Sequence, residues 1–107
     1  MPTTESSSPQ SITALLLNNA DNVYCVLRDH QTGDFPVLVD ATGNHCSCPI
    51  LLDNIPLGHK VARVSIDKDA PVIKYGTVIG YATQAIPAGS HVHLHNLIGS
   101  LQATLAS

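Results

Sequence analysis

An all-β domain is the fold class this sequence predicts, and three observations carry the prediction. Apolar runs are short, Gly, Pro, Asn or Asp interrupts them every few residues, and no segment sustains a 3.6-residue apolar period. Hydrophobic residues make up 44% of the 107 residues and charged residues 12%. That is enough for one modest core and too short a chain for a large enzyme. The low charge also fits a surface partly covered by a partner.

Residues 1–11 are polar and Ser-rich and read as a flexible tail. Residues 12–17 form the first apolar run, closed by the turn cluster Asn18-Asn19-Ala20-Asp21-Asn22. A strand is predicted over 23–28, then a turn at Gln31-Thr32-Gly33-Asp34, then a strand over 35–39 closed by Asp40-Ala41-Thr42-Gly43-Asn44. A short apolar run at 49–53 precedes further runs at 59–66, 72–75, 78–86 and 91–97. Helix is limited to one or two short turns, with candidates around 58–63 and over 97–105. The domain is therefore expected over 12–97, with 98–107 as a C-terminal tail.

A pattern repeats in the second half. Ile55-Pro56-Leu57-Gly58-His59-Lys60-Val61 matches Ile86-Pro87-Ala88-Gly89-Ser90-His91-Val92, and Ile66-Asp67-Lys68-Asp69-Ala70-Pro71-Val72 fits the same frame. Each unit reads as a tight turn between two apolar anchors. Pro at the second position fixes φ, and Gly at the fourth suits the end of a type I turn. Asp69 can replace Gly because Asp tolerates the left-handed region better than most residues.

The net charge of −3, with five Lys+Arg, argues against nucleic acid as the partner. No stretch approaches the roughly 20 apolar residues of a membrane span. The first eleven residues lack the basic and apolar regions of a secretory signal, so a cytoplasmic location is expected. Cys25, Cys46 and Cys48 then read as free thiols. His45-Cys46-Ser47-Cys48 lacks the second ligand pair that structural zinc sites show.

His91-Val92-His93-Leu94-His95 is the sharpest constellation. On a strand, the three histidines share a face, and Val92 and Leu94 point the other way into the core. Neighbouring imidazoles, such as His93 and His95 with His91 as an alternative, can converge on one metal. The outer pair, about 13 Å apart on an extended strand, cannot share it. Gly58-His59-Lys60 offers a turn glycine followed by a titratable and a cationic side chain, suited to a carboxylate. Lys74 and Tyr75 offer a charge and a hydroxyl for the same purpose. Gly76 and Gly80 read as positions needing positive φ or close packing. Nothing identifies a catalytic nucleophile or base, and no phosphate or dinucleotide loop is present.

Five short motifs occur in register over about residues 54–96: Gly58-His59-Lys60-Val61-Ala62, Val72-Ile73-Lys74-Tyr75-Gly76, Ile79-Gly80-Tyr81-Ala82-Thr83, Ile86 with Gly89, and His91-Val92-His93-Leu94-His95-Asn96. In order and spacing they resemble the SAF domain of the altronate dehydratase (altronate hydrolase) family, which includes galactarate dehydratase and the small subunit of sulfolactate sulfo-lyase. The resemblance implies a β-clip fold of bent hairpins. It also implies a small subunit or domain of a hydroxy-acid lyase, most simply one that removes water from a sugar acid. Such a lyase needs a separate large catalytic domain and a divalent metal, iron or manganese. A sulfolactate sulfo-lyase subunit and a stand-alone carbohydrate- or protein-binding module are the alternatives. Self-association is compatible with either. The sequence departs from the family pattern at Asp69-Ala70, where Gly is usual, and the Cys46-Ser47-Cys48 stretch is particular to this chain.

Overall fold

The computed structural model describes residues 11–99. Nine strands and no helix are present among them: β1 (Ala14–Leu16), β2 (Val23–Val26), β3 (Leu38–Asp40), β4 (His45–Cys46), β5 (Lys60–Ala62), β6 (Pro71–Lys74), β7 (Thr77–Ala82), β8 (His91–Val92) and β9 (Leu97–Gly99). The all-β expectation is met. The helical candidate around 58–63 is instead a turn leading into β5. The run at 49–53 forms no strand, whereas β4 arises just after the turn that ends at Asn44, where the sequence predicts no strand. The boundary expected at residue 97 falls inside β9, and most of both expected tails lies outside the described residues.

Six strands form one sheet in the order β4-β3-β1-β2-β5-β8, and three form a second in the order β6-β7-β9. β1 and β3 run parallel; the other paired neighbours are antiparallel. The period-2 alternation of β2 and β5 divides the core between the two faces of the larger sheet. Tyr24, Val26 and Val61 join Ala14, Leu16, Leu38, Leu51 and Ile55 in one cluster. Val23, Ala62 and Val92 join Ile66, Val72, Ala82 and Ile86 in the other, which fastens the small sheet to the large one.

The repeated turn is the building unit. Its hydrogen bonds run from His59 N to Pro56 O (3.0 Å), from Ala70 N to Asp67 O (3.0 Å) and from Ser90 N to Pro87 O (3.1 Å). Gly58, Asp69 and Gly89, at φ 83°, 71° and 90°, thus occupy the third position of the turn. A positive φ there defines type II rather than the expected type I, and the turn opens on Pro56, Asp67 or Pro87. A fourth copy lies in the first half, where Asp34 N donates to Gln31 O (3.0 Å) and Gly33 has φ 92°. His30 replaces Ile as its anchor, which hid it from sequence comparison. The anchors pair across the fold, His30 with Ile55 and Ile66 with Ile86. His30 is buried and satisfied: its ring nitrogens meet Arg28 O (2.9 Å) and Thr13 Oγ1 (3.0 Å).

A two-residue hairpin joins β6 to β7. Lys74 pairs with Thr77, and both central residues have positive φ, Tyr75 at 60° and Gly76 at 69°. This is the pattern of a type I′ turn, which favours Asn-Gly. Asp21, buried, holds the turn: its carboxylate accepts from Tyr75 N (2.9 Å) and Gly76 N (2.8 Å). Asn22 clamps the adjoining strand, donating from Nδ2 to Pro71 O (2.9 Å) and accepting from Ile73 N (2.7 Å). Gly80 serves close packing instead, since a Cβ there would lie 2.1 Å from Ile98 O. Tyr75 bears the left-handed backbone against its preference. Tyr75→Asn is therefore expected to stabilise the domain by about 1 kcal/mol. A thermal melt no higher than that of the unsubstituted chain would count against the strain.

Candidate functional site

Two of the repeated turns deliver the site. The turn before β5 ends on His59, and the turn before β8 ends on Ser90, next to His91. Val61 pairs with His91 across the β5–β8 ladder, so His59, two residues before Val61, reaches the same end of the sheet. His59 Nδ1 and His91 Nε2 are 2.8 Å apart and share a hydrogen bond. The His59 ring stacks on His91 at 5.1 Å between centroids and on His93 at 4.2 Å.

The strand expected over 91–97 is interrupted. β8 ends at Val92, and residues 93–96 turn before β9. Asn96, buried, makes this turn: its Oδ1 accepts from His93 N (3.0 Å), and its Nδ2 donates to His91 O (2.8 Å). Two expectations are corrected as a result. Leu94 is 79% exposed rather than in the core, while Val92 is fully buried. The His91 and His95 rings, expected about 13 Å apart on an extended strand, have centroids 5.3 Å apart because the chain curls back.

His59, His91 and His93 form the one convergent ligand group among the described residues, with one nitrogen from each ring lying within 4.8 Å of the others. His95 borders the group through His91 without completing it, and His59, read from sequence as a carboxylate contact, lies inside it. All three rings are only half-buried. Burial lowers the pKa of His91, and the neighbouring charges of His59, His95 and His93 lower it further. The same causes act on His93, with His59 and Lys60 as its main neighbours. The lowering favours the neutral form of His91 and His93, whose lone pairs can then serve a cation. Asp53, not signalled by any motif, orients the edge by accepting from His91 N (2.9 Å).

Lys60, half-buried, sits opposite Cys25 and Val92. Burial, then the charge of Lys74, lowers its pKa. Tyr75 is 68% exposed at the hairpin tip, and its hydroxyl makes no hydrogen bond among the described residues. His45, Cys46 and Cys48 do not converge as ligands. Cys46 and Cys48 pack against the first core cluster, and burial pushes the Cys48 thiol up. The Tyr24 hydroxyl is buried beside Cys48 without a well-formed hydrogen bond, and its pKa is raised, chiefly by burial.

The family model described as the altronate/galactarate dehydratase SAF domain matches residues 12–100. The chain belongs to this SAF domain family. It is 39% identical over 80 residues to altronate dehydratase of Bacillus subtilis, a match covering 75% of this chain and 15% of that enzyme. It is 37% identical over 71 residues to galactarate dehydratase (L-threo-forming) of Escherichia coli, covering 62% of this chain and 14% of that enzyme. Against (2R)-sulfolactate sulfo-lyase subunit alpha of Chromohalobacter salexigens it is 49% identical over 45 residues, covering 42% of this chain and 48% of that subunit. This SAF domain therefore corresponds to a small part of each dehydratase and about half of the sulfo-lyase subunit. Among its described residues no helix is long and apolar enough to cross a membrane.

Proposed function

We propose that this SAF domain is the small part of an altronate-type dehydratase, inactive alone and working with a larger catalytic domain or subunit on a sugar acid. Its contribution is the triad His59, His91 and His93, which would hold a divalent metal. The triad carries the reading: three imidazoles converge at one end of a sheet, in a domain matching about a seventh of the length of its dehydratase relatives. Of iron and manganese, an all-imidazole set favours iron. A metal there would act as a Lewis acid toward the oxygen of the departing hydroxyl. The chain's own residues hold the rings in place through Asn96 and Asp53. Leu57 and Leu94, both exposed, flank the triad in sequence and suit an apolar rim that a larger partner covers.

Anaerobic titration of the chain with Fe(II), or with Co(II) as a spectroscopic substitute, tests the triad. His91→Ala is expected to weaken binding about a hundredfold, since metal affinity rests on the full ligand set. Unchanged affinity would remove the site. Reconstitution with the larger partner tests the reaction: turnover of altronate or galactarate is expected from the mixture and not from this chain alone. Chelator-sensitive turnover by the pure chain would refute the need for a larger partner.

Metal affinity should fall with falling pH as the rings protonate, half-loss lying below the ordinary histidine value of 6.5 because His91 and His93 are depressed. The metal-free domain follows the same sign. As pH falls through 6.5 the unfolded chain takes up protons that the folded rings refuse, so stability declines from there down to the lowered folded values. Melts at pH 7.5 and 5.5 would show it. A sulfo-lyase subunit remains the second reading, supported by the 49% identity to a chain of which this one matches 48%.

A further inference from the structure

Cys46 closes β4, and Cys48 follows two residues later, outside any strand. Both side chains pack against the first core cluster, so both sulfurs lie on one side of the sheet edge. Two residues of chain span at most about 7 Å, and a modest bend brings that to the roughly 5.5–6 Å between α-carbons that a disulfide needs. The fold leaves room for the bend. β4 is an edge strand of the larger sheet, paired with β3 alone. Bending residues 46–48 therefore disturbs one ladder position, Leu38 opposite Cys46. The preceding turn is anchored separately, because Asp40 Oδ1 accepts from Thr42 N (2.9 Å) and Asn44 N (3.0 Å). Neither thiol is tightly held: Cys46 donates to Asn44 O at 3.7 Å and Cys48 to Pro36 O at 3.3 Å. The Tyr24 hydroxyl is buried beside Cys48 without a well-formed hydrogen bond. A buried polar group left unmet marks packing that the reduced state does not optimise, and a shift of Cys48 would let water reach it. Cys25 is the contrast. It lies on β2, paired with Leu15 on one side and Lys60 on the other, and it joins neither core cluster.

We infer that Cys46 and Cys48 form a redox-active dithiol, which closes to a disulfide by exchange with a small-molecule disulfide. Cys46 attacks first. As a thiolate it bonds to one sulfur of the small disulfide, whose S–S bond breaks and releases one half as a thiolate. Cys48 then gives up its proton and bonds to Cys46 Sγ, expelling the other half. Two protein thiols are oxidised, one external disulfide is reduced, and the two protons end on the two released thiols. Burial pushes the Cys48 thiol up, which suits the second step better than the first. A disulfide between cysteines separated by one residue is strained and easily reduced, so the bond is reversible rather than structural. The inference is independent of the histidine triad and of any metal there.

Equilibration of the full chain in mixtures of oxidised and reduced glutathione, followed by acid quench, alkylation and peptide mapping, tests it. A Cys46–Cys48 disulfide within one chain is expected, with Cys25 alkylated throughout, and dithiothreitol should reopen it. Cys48→Ser should stop at the glutathione adduct on Cys46. Cys46→Ser should take up glutathione at Cys48 about tenfold more slowly than Cys48→Ser does at Cys46, because a protonated, half-buried thiol is the poorer nucleophile. Cys25→Ser should behave as the unsubstituted chain. The map of the unsubstituted chain decides the pairing even where a serine variant folds poorly. Disulfides only between chains, modification of Cys25 ahead of Cys46, or no adduct on Cys46 in Cys48→Ser would each overturn the inference.

Discussion

Val92→Asp is expected to abolish cooperative folding, whereas Leu94→Asp should melt with the unsubstituted chain. The two residues sit two positions apart in one motif and are equally apolar, so sequence pattern treats them alike. Val92 is fully buried between the sheets, in the cluster with Val23, Ala62 and Val72. A carboxylate placed there has no partner and costs several kcal/mol, against a total stability of about 5–15 kcal/mol for a domain of this kind. Leu94 lies on the turn at 93–96 with 79% of its surface exposed, and exposed substitutions change stability by about 0.5 kcal/mol or less. Circular dichroism melts of both variants decide the matter. Equal losses would mean that the chain continues as a strand past Val92, and the histidine triad would then dissolve with the turn that builds it.

Asp21→Ala should lower stability by about 3 kcal/mol, a fall of roughly 10–20 °C in Tm for a domain of this size. The carboxylate accepts two backbone N–H groups of the Tyr75-Gly76 turn, and hydrogen bonds to charged groups are the stronger kind. Its removal also leaves Tyr75 in a left-handed conformation with nothing to hold it. Asp21→Asn keeps one acceptor and should lose less. Amide exchange at residues 75 and 76 should accelerate in both variants before the rest of the domain responds. A loss below about 1 kcal/mol in Asp21→Ala would show that packing of the second core cluster alone holds the small sheet.

The amino-acid sequence by itself determined the all-β class, the turn positions and the family. Short apolar runs, turn residues and a repeated Ile-Pro-x-Gly unit are local features, and local chemistry suffices to place them. It also brought forward His59, Lys60, Lys74, Tyr75, His91, His93 and His95 as chemistry-bearing residues. Only the tertiary structure decided how these residues group. His59 and His91 are 32 positions apart and meet because β5 pairs with β8, a pairing no local pattern specifies. His93 joins them because the Asn96 side chain bonds back to the chain and breaks the strand, which overrides the period-2 reading of His-x-His-x-His. Asp21 and Asn22 look like ordinary turn residues, and their grip on residues 71–76 becomes visible only when the two sheets are brought together. Local steric preference sets turns and strands; long-range pairing and side-chain bonds to a distant backbone set the site.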